Sequence, residues 1–323
     1  MTQSAAQPQV PTTSSPTLTV ALCTHNHGAR LRITLNDLRH LHATEDKAEL
    51  LIVDNASTDD TGEILREFPW GQLPFSVRIV KEMKLGLSNA RNRAIKEARG
   101  DYILFMDDDE TADPNWLCAY DSLIRQYSPD MAGGPIRVRF ENCEKPVWVT
   151  DDLLGFLGEL DHNKPTTRAV DESLKLFGGN FAFKRSVFEQ IGRFDPDLGR
   201  TGTTNTGGED TDMFFKVLNA GCSIYWTPDA IIHHRIDATK LTKRYFHNLH
   251  YLMGCTAGIR QRGNRSRTPP LYIYPQLWRA ALSVIRQRRN SGKQSSVRKE
   301  MNVAYFLGVI RGWLASTKES IDQ

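Results

Sequence analysis

A run of three aspartates after an apolar stretch constrains this chain more than any other feature. Residues 102–106 have the composition of a buried strand, and Asp107, Asp108 and Asp109 follow directly. In open α/β sheets the ligand crevice lies outside the carboxyl ends of the strands. Asp107 and Asp109, one residue apart, could share a divalent cation, Mg²⁺ or Mn²⁺, which prefers oxygen ligands. The run predicts a metal site at a sheet edge, although a solvated acidic turn has the same composition.

Strand and helix patterns alternate through the first two-thirds of the chain. Short apolar runs at residues 18–23, 50–53 and 77–80 are typical of buried strands, and polar or turn residues follow them. Residues 29–41 and 88–98 have the spacing of helices, the second with a Ser or Asn cap. This alternation predicts an α/β fold with a mostly parallel sheet.

Polar residues at the ends of these strands outline a nucleotide site. Cys23–Asn26 ends the first strand, and Asp54 at the second is placed to accept hydrogen bonds from a ribose or base. Arg91 could meet phosphate charge, and the carboxylate pair would hold a metal on the diphosphate. Taken alone, Asp54 is equally explained by an Asx-turn and Arg91 by a solvated helix face.

Cysteine usage and the first residues bear on location. The five cysteines are scattered without a CxxC pair, which excludes a disulfide framework and a structural zinc site and favours a reducing cytoplasm. Residues 1–16 have no basic start and no apolar stretch, so we expect a flexible tail and not a secretory signal.

Charge is distributed unevenly along the chain. Residues 235–323 have 17 Lys and Arg against 4 Asp and Glu, a net charge of +13. The rest has 24 against 34, or −10. Chemistry in the acidic part and attachment to an anionic partner through the basic part are therefore expected.

The basic segment contains three helical patterns, at residues 241–256, 277–285 and 301–314. None reaches the ~20 apolar residues of a membrane-spanning helix. Two interpretations remain open: interfacial helices on anionic lipid, with Trp278 and Trp313 as anchors, or helices packed on the catalytic body.

Four collinear motifs give the chain a family resemblance over residues 17–237. They are VDNASTDDT from residue 53, GLSNARNRAI from 86, ARGDYILFMDDDE from 98 and GGEDTD from 207. They resemble the family 2 glycosyltransferases of GT-A fold. The resemblance implies a Rossmann-like nucleotide-binding sheet with flanking helices, a nucleotide-sugar donor, a saccharide or lipid-linked acceptor, and a divalent metal. Beyond the region of resemblance, charge and helical patterns predict a basic helical extension over residues 238–323.

The resemblance also implies roles for individual residues. Asp54 contacts the nucleoside, Asp109 is the principal metal ligand of the DxD pair and Asp210 is the catalytic base. The histidine that completes the metal shell falls on His234, with the neighbouring His233 as the alternative. In the first strand, the proline that often precedes the family's polar tripeptide is absent, and Cys23 and Thr24 stand at that point. We expect the sugar donor to be bound by Thr24, Asn26, Asp54, Arg91, Asp107 and Asp108, with Gly178, Gly179 and Glu209 near the acceptor or behind these residues.

Chemistry alone supports part of this assignment. A carboxylate such as Asp210 can take the proton of an acceptor hydroxyl as it attacks an anomeric carbon, which inverts that carbon. Glu209 and Asp210 could instead only complement the positive end of a helix. His234, at the end of a predicted strand over residues 226–234, could be an ordinary structural residue.

Other functions are weighed against transfer of single sugars. Asp107–Thr111 also satisfies the DxDxT motif of haloacid dehalogenase-type phosphohydrolases, with Asp107 as nucleophile and Asp109 as acid, but three strand-like runs precede it. A non-catalytic nucleic-acid binder would leave the carboxylates unexplained, so no nucleic-acid partner is expected. The QxxRW motif of processive synthases is not met, because Ala280 follows Arg279.

Overall fold

The computed structural model describes residues 17–44, 48–199, 208–263, 268–290 and 297–315, so the predicted tail at residues 1–16 lies outside it. The strands of these residues are β1 Leu18–Thr24, β2 Ala48–Asp54, β3 Ser76–Lys81, β4 Tyr102–Asp107, β5 Glu110–Ala112, β6 Met131–Gly133, β7 Ile136–Phe140, β8 Thr167–Ala169, β9 Phe181–Lys184, β10 Ile224–Trp226 and β11 Ile232–Ile236. The helices are α1 Gly28–Asp37, α2 Thr61–Glu67, α3 Leu87–Glu97, α4 Trp116–Tyr127, α5 Val187–Ile191, α6 Glu209–Asn219, α7 Lys243–Arg262, α8 Ile273–Asn290 and α9 Val297–Leu314.

The described residues divide into two compact units. Among the described residues, the first unit contains 17–44, 48–137, 160–199 and 208–234, and the second contains 138–159, 235–263, 268–290 and 297–315. The boundaries predicted from the sequence, after residues 16 and 237, stay predictions.

The first unit is built on a mixed, mostly parallel sheet. Its described strands follow the order β3-β2-β1-β4-β9-β6-β10-β8, in which β9 and β8 run against the other six. Strand β1 is buried along its whole length, as expected where helices cover both faces of a sheet. The fold class predicted from the sequence is confirmed.

Strand register brings the polar strand ends to one edge. Thr24 of β1 is paired with Asp54 of β2, and Cys23 with Asp107 of β4, in parallel ladders. Parallel strands end on the same side, so side chains far apart in sequence meet there. This edge contains the candidate site.

Helices on the two faces of the sheet form separate apolar layers. One layer contains Leu31 and Leu35 of α1 with Trp116 of α4, and the other contains Ala90 of α3 with Phe214 of α6. Because the apolar stripe of each helix recurs at intervals of three and four residues, each helix buries one side and leaves the other to solvent.

Asn180 joins four parts of the first unit. Its Oδ1 accepts hydrogen bonds from Trp116 Nε1 and from the Tyr120 hydroxyl, both at 2.9 Å. Its Nδ2 donates to the carbonyls of Pro135 at 2.8 Å and Ala230 at 2.7 Å. A buried amide with all its groups paired fixes the position of its backbone. The preceding residues, Gly178 and Gly179, are placed by this anchor.

Two local predictions are wrong. Helix α3 has no side-chain cap, because Gly86 occupies the capping position at φ 129°, a conformation that glycine tolerates. The strand predicted over residues 226–234 is split between β10 and β11 by a turn in which Ile231 N–H bonds to the Asp229 carbonyl. Pro228 lies in that turn and has no N–H for a ladder, which favours the break.

A smaller sheet positions the histidines of β11. Among the described strands its order is β5-β11-β7. The antiparallel register sets His234 opposite Glu110 and His233 opposite Thr111. His234 therefore lies opposite the residue that follows Asp109, although His234 and Asp109 are 125 residues apart in sequence.

In the second unit, the predicted helical patterns become α7, α8 and α9. Helices α7 and α9 cross on glycines: a Cβ at Gly254 would lie 2.1 Å from Tyr305 O, and one at Gly308 would lie 2.0 Å from Tyr251 O. The two backbones are thus in direct contact, as at small-residue crossings in general. None of the described helices is long and apolar enough to cross a membrane.

We expect Gly308→Ala to destabilise the second unit by about 1–3 kcal/mol, because the new methyl group would overlap a backbone carbonyl that cannot move alone. Gly155→Ala in the same unit is the matched control, since nothing lies within 4 Å of its Cβ. Urea denaturation, with hydrogen exchange on α7 and α9, measures both variants. Equal unfolding midpoints for the two would contradict the close crossing.

Candidate active site

Asp54 ends β2 almost fully buried, at 3% exposure. Its Oδ1 accepts the Ser57 N–H at 3.1 Å. The next residue, Asn55, donates from Nδ2 to Lys84 O at 2.9 Å and accepts the Gly86 N–H on Oδ1 at 2.8 Å. The Asx-turn and a ligand role are therefore compatible, because Oδ2 of Asp54 has no hydrogen-bond partner in the described part of the chain.

Asp108 is turned into the protein. Its Oδ2 accepts the Thr24 hydroxyl at 2.6 Å, and its Oδ1 lies 2.9 Å from His27 Nδ1. Burial raises the pKa of the Asp108 carboxyl, against the hydrogen bonds of His27 and Thr24, and the bond to Asp108 raises the pKa of His27. Thr24 and Asp108 are hydrogen-bonded to each other, and their contact with a sugar donor stays a prediction.

Asn26 connects the ends of β1 and β2. It has φ 51°, a conformation that asparagine tolerates better than most residues. Its Oδ1 accepts the N–H groups of Thr58 at 2.7 Å and Asp59 at 3.3 Å. The side chain shapes the strand-end loops, and its contact with a sugar donor likewise stays a prediction.

Arg91 joins β4 to the start of α6. It is 2% exposed, and its guanidinium bonds Glu209 Oε1 at 3.1 Å and Asp107 Oδ1 at 3.3 Å. Burial opposes the charge, but the two carboxylates outweigh it and raise the pKa of Arg91. The rings of Phe181 and Phe194 lie 5.3 and 5.5 Å away. The guanidinium thus positions these two carboxylates, and its contact with phosphate stays a prediction.

Asp109 and His234 come together as candidate metal ligands. Asp109 Oδ2 lies 3.3 Å from His234 Nε2 and 3.4 Å from Arg30 Nη1. A cation bound at about 2.1–2.2 Å by both atoms needs them about 3 Å apart, so the pair fits a Mn²⁺ or Mg²⁺ ion. No group of three or more His, Cys, Asp or Glu among the described residues could hold a metal without other ligands. The remaining ligands would have to come from substrate and water.

Asp210 lies in the first turn of α6, where two backbone N–H groups orient its carboxylate. Oδ2 accepts the Gly178 N–H at 3.0 Å and Oδ1 accepts the Thr211 N–H at 2.7 Å. The neighbouring Glu209 instead points to Arg91 and accepts the Gly208 N–H at 3.0 Å. The two adjacent acids thus have different tasks: one is oriented by main chain and one is paired with a buried cation.

The glycines before β9 are required by the protein itself. A Cβ at Gly178 would lie 2.7 Å from Arg91 Nη2, and one at Gly179, where φ is 93°, would lie 2.4 Å from Glu110 Oε1. The sequence predicts these glycines near the acceptor or behind the residues that bind the sugar donor, and that position stays a prediction. The close approach in this structure is that of the protein's own charged side chains.

Three residues at this edge were missed: Glu110, His27 and Arg30. Glu110 is buried and accepts the Asp107 N–H on Oε2 at 2.9 Å. Burial first, and then the charges of Asp107 and Asp109, raise its pKa well above the ordinary value. Glu110 was part of the acidic run, but its inward direction depends on strand β5, which the sequence pattern did not predict. Burial also raises the pKa of the Cys23 thiol to about 12, so this thiol stays neutral.

Comparison with known proteins identifies the family of this chain. The sequence profile of Glycosyl transferase family 2 matches residues 19–192, more than half of the chain. The chain belongs to this family and is a glycosyltransferase. The phosphohydrolase and the nucleic-acid binder are thereby disfavoured; in the structure, the DxDxT segment also follows the fourth strand, not the first.

Two relatives and one solved structure give the range of similarity. The succinoglycan biosynthesis protein ExoM of Rhizobium meliloti is 25% identical over 240 residues, 74% of this chain and 73% of its own. The probable glycosyltransferase YdaM of Bacillus subtilis is 26% identical over 67% of this chain, which spans half of YdaM's length. The mannosyltransferase PcManGT from Pyrobaculum calidifontis, solved with GDP-Man and Mn²⁺, superposes with a TM-score of 0.60 at 17% identity, covering 93% of this chain and 88% of its own. At that identity the superposition shows the GT-A fold.

We expect Arg91→Met to lower the free energy of unfolding by about 3–5 kcal/mol, because it leaves the carboxylate of Glu209 buried without its cation. Arg93→Met is the control on the same helix: Arg93 is 33% exposed and paired with Glu97, so about 0–1 kcal/mol is expected. Urea titration measures both. A double variant, Arg91→Met with Glu209→Gln, should recover part of the loss, and no recovery would contradict the pairing.

Proposed function

We propose that the protein is an inverting, metal-dependent glycosyltransferase that moves one sugar from a nucleotide-sugar donor to a hydroxyl of a saccharide or lipid-linked acceptor. The observation that carries the proposal is the convergence of Asp109 and His234 at the strand edge that also contains Asp54. One edge therefore offers groups for a nucleoside and for a cation on its diphosphate.

The nucleoside end is assigned to Asp54. Its buried carboxylate has one oxygen fixed by Ser57 N–H and the other available for a ribose hydroxyl or a base N–H. A charge-assisted hydrogen bond of this kind gives orientation as well as affinity. GDP-Man bound to the structural neighbour PcManGT supports a nucleotide-sugar donor without indicating which nucleotide this chain takes.

Asp109 and His234 would hold the metal, and Asp107 is a further carboxylate at the same strand end. A divalent cation on the diphosphate supplies neutralisation of charge as the nucleoside diphosphate departs. The chain's own part is to hold the two ligand atoms together, which Arg30 does on Asp109 and the β5–β11 register does on His234. Mn²⁺ in the PcManGT complex supports this assignment.

Asp210 is the proposed general base, which takes the proton of the acceptor hydroxyl. The acceptor oxygen forms a bond to the anomeric carbon while the bond from that carbon to the donor phosphate breaks, and the hydroxyl proton passes to the Asp210 carboxylate. Attack opposite the leaving group inverts the carbon. Backbone N–H groups from Gly178 and Thr211 hold the carboxylate in one orientation, which favours proton transfer at a fixed site.

The proposed pathway and location rest on one relative and on the charge of residues 235–323. Similarity to ExoM supports a role in polysaccharide biosynthesis. The net charge of +13 over residues 235–323 supports a cytoplasmic enzyme that reaches the anionic inner face of the membrane, where a lipid-linked acceptor would lie.

The test of sugar-donor binding is a thermal-shift panel of nucleoside diphosphates with and without Mn²⁺. A ligand of the folded state raises apparent stability by RT ln(1 + [L]/Kd), so one nucleotide should stand out, and only with metal. We expect Asp109→Asn to abolish this metal-dependent shift and turnover together. Asp113→Asn, the same change four residues on, should retain both. A full shift and full activity in Asp109→Asn would overturn the metal assignment.

Asp210→Asn separates binding from chemistry. We expect nearly unchanged affinity for the sugar donor and a fall in kcat of about two to four powers of ten, the usual contribution of a general base. Asp212→Asn, in the same helical turn, is the control, because it removes the same charge from the helix start. If both variants lose activity equally, Asp210 only complements the helix dipole.

A further inference from the structure

Helix α8 exposes a stripe of large apolar side chains. Tyr274 is 46% exposed, Trp278 65% and Ile285 46%, and Leu271 just before the helix is 82% exposed. The spacings of three, four and seven residues place these four side chains on one side of the helix. We call this set the outer stripe.

The outer stripe is not the side on which α8 packs. Ile273, one residue before Tyr274, is 1% exposed and lies in an apolar cluster with Val309 and Trp313 of α9. Trp313 is 3% exposed, so the expectation that it anchors the protein to lipid is wrong: it fills the contact between α8 and α9. A helix with its packing side satisfied and a second apolar side exposed has a surface to cover.

Arginines border the outer stripe. Arg279 and Arg286 are seven residues apart on one flank, exposed and without an ion-pair partner among the described residues, and Arg289 is exposed near the end of the stripe. Arg288 is different, because Glu300 accepts its hydrogen bond at 3.0 Å. The helix itself contains no acidic residue. The available charge on α8 is therefore positive only.

We propose that the outer stripe of α8 is the surface by which the protein lies on an anionic lipid bilayer. Tyrosine and tryptophan rings favour the boundary between headgroups and acyl chains, and arginines extend from that depth to anionic headgroups. A second copy of the chain is a poorer occupant, since it would bring a segment of equal +13 charge to the same place. The exposed aliphatic side chains distinguish this surface from a purely electrostatic nucleic-acid contact.

The outer stripe would be the membrane-binding surface for the proposed membrane location, whether or not the protein transfers a sugar. Nucleotide thermal shifts in the α8 variants below should be unchanged. Their loss would indicate misfolding of the variant, and their absence in the parent protein would bear only on the proposed transfer.

The first experiment is sedimentation of the full chain with phosphatidylcholine vesicles, with and without phosphatidylglycerol. We expect binding only to the anionic vesicles and release by high salt. Arg279→Glu with Arg286→Glu should weaken binding about 30-fold or more. Lys243→Glu with Arg244→Glu is the matched control: it makes the same change of net charge on exposed residues of α7. Equal weakening by both pairs would show that net charge acts without this surface and would overturn the proposal.

The apolar part is tested by Trp278→Ser, which should weaken vesicle binding about tenfold. Val170→Ser, at an 83% exposed valine of the first unit, should have no effect. Trp278 is the exposed member of the six tryptophans, all of which lie in the described residues, so brominated lipid should quench its fluorescence selectively. Trp278→Phe should remove this quenching and retain binding.

Three further results would contradict the assignment. The parent protein could ignore anionic vesicles at low salt, or it could bind them without quenching of Trp278. It could also form a concentration-dependent dimer that Trp278→Ser abolishes, which would assign the outer stripe to a second copy of the chain.

Discussion

The buried guanidinium of Arg91 is the interaction on which the candidate site depends. It bonds Glu209 at the start of α6 and Asp107 at the end of β4, residues that are distant in sequence. Removing a charge of this kind from water is costly, and the two carboxylates with the neighbouring aromatic rings compensate for that cost. The consequence is geometric: the helix that contains the proposed base and the strand that precedes the proposed metal ligand are held by one side chain. Positioning of both groups is thereby coupled.

The acidic run at residues 107–110 works because each of its members has different partners. Asp108 is satisfied by Thr24 and His27 on the inside, whereas Asp109 faces Arg30 and His234. Four neighbouring carboxylates would repel one another if all were ionised in the same surroundings. Burial raises the pKa of Asp108 and Glu110, which favours their neutral forms, whereas Asp109 is only partly buried. A short motif thus contains a proposed metal ligand and the buried carboxyls that support it.

The sequence predicted the strands and the location of the site better than the contacts within it. Apolar runs identify β1, β2 and β4, because strands buried on both faces must be apolar along their length. Strand β3, at the end of the sheet order, is only partly buried and includes Arg78, so its run is less uniformly apolar. Parallel strand ends then have to share one edge. The pairing of Arg91 with Glu209 could not be predicted in this way, since the partners are 118 residues apart and nothing in local spacing connects them. The same holds for the inward turn of Glu110 and for the glycine crossing of α7 and α9.

Fewer positive charges of the second unit can bind a partner than its net charge indicates, because several of its arginines bind groups within the unit. Arg262 is buried and donates to the carbonyls of Trp313 and Ala315, and Arg298 donates to the Asp152 carbonyl at 2.9 Å. Arg288 is paired with Glu300. These three arginines therefore bind groups of their own unit. The arginines of α8 that have no ion-pair partner in the described part of the chain lie beside its exposed aromatic side chains. Which arginines are paired and which rings are exposed depends on helix packing, so this combination could not be predicted from the sequence.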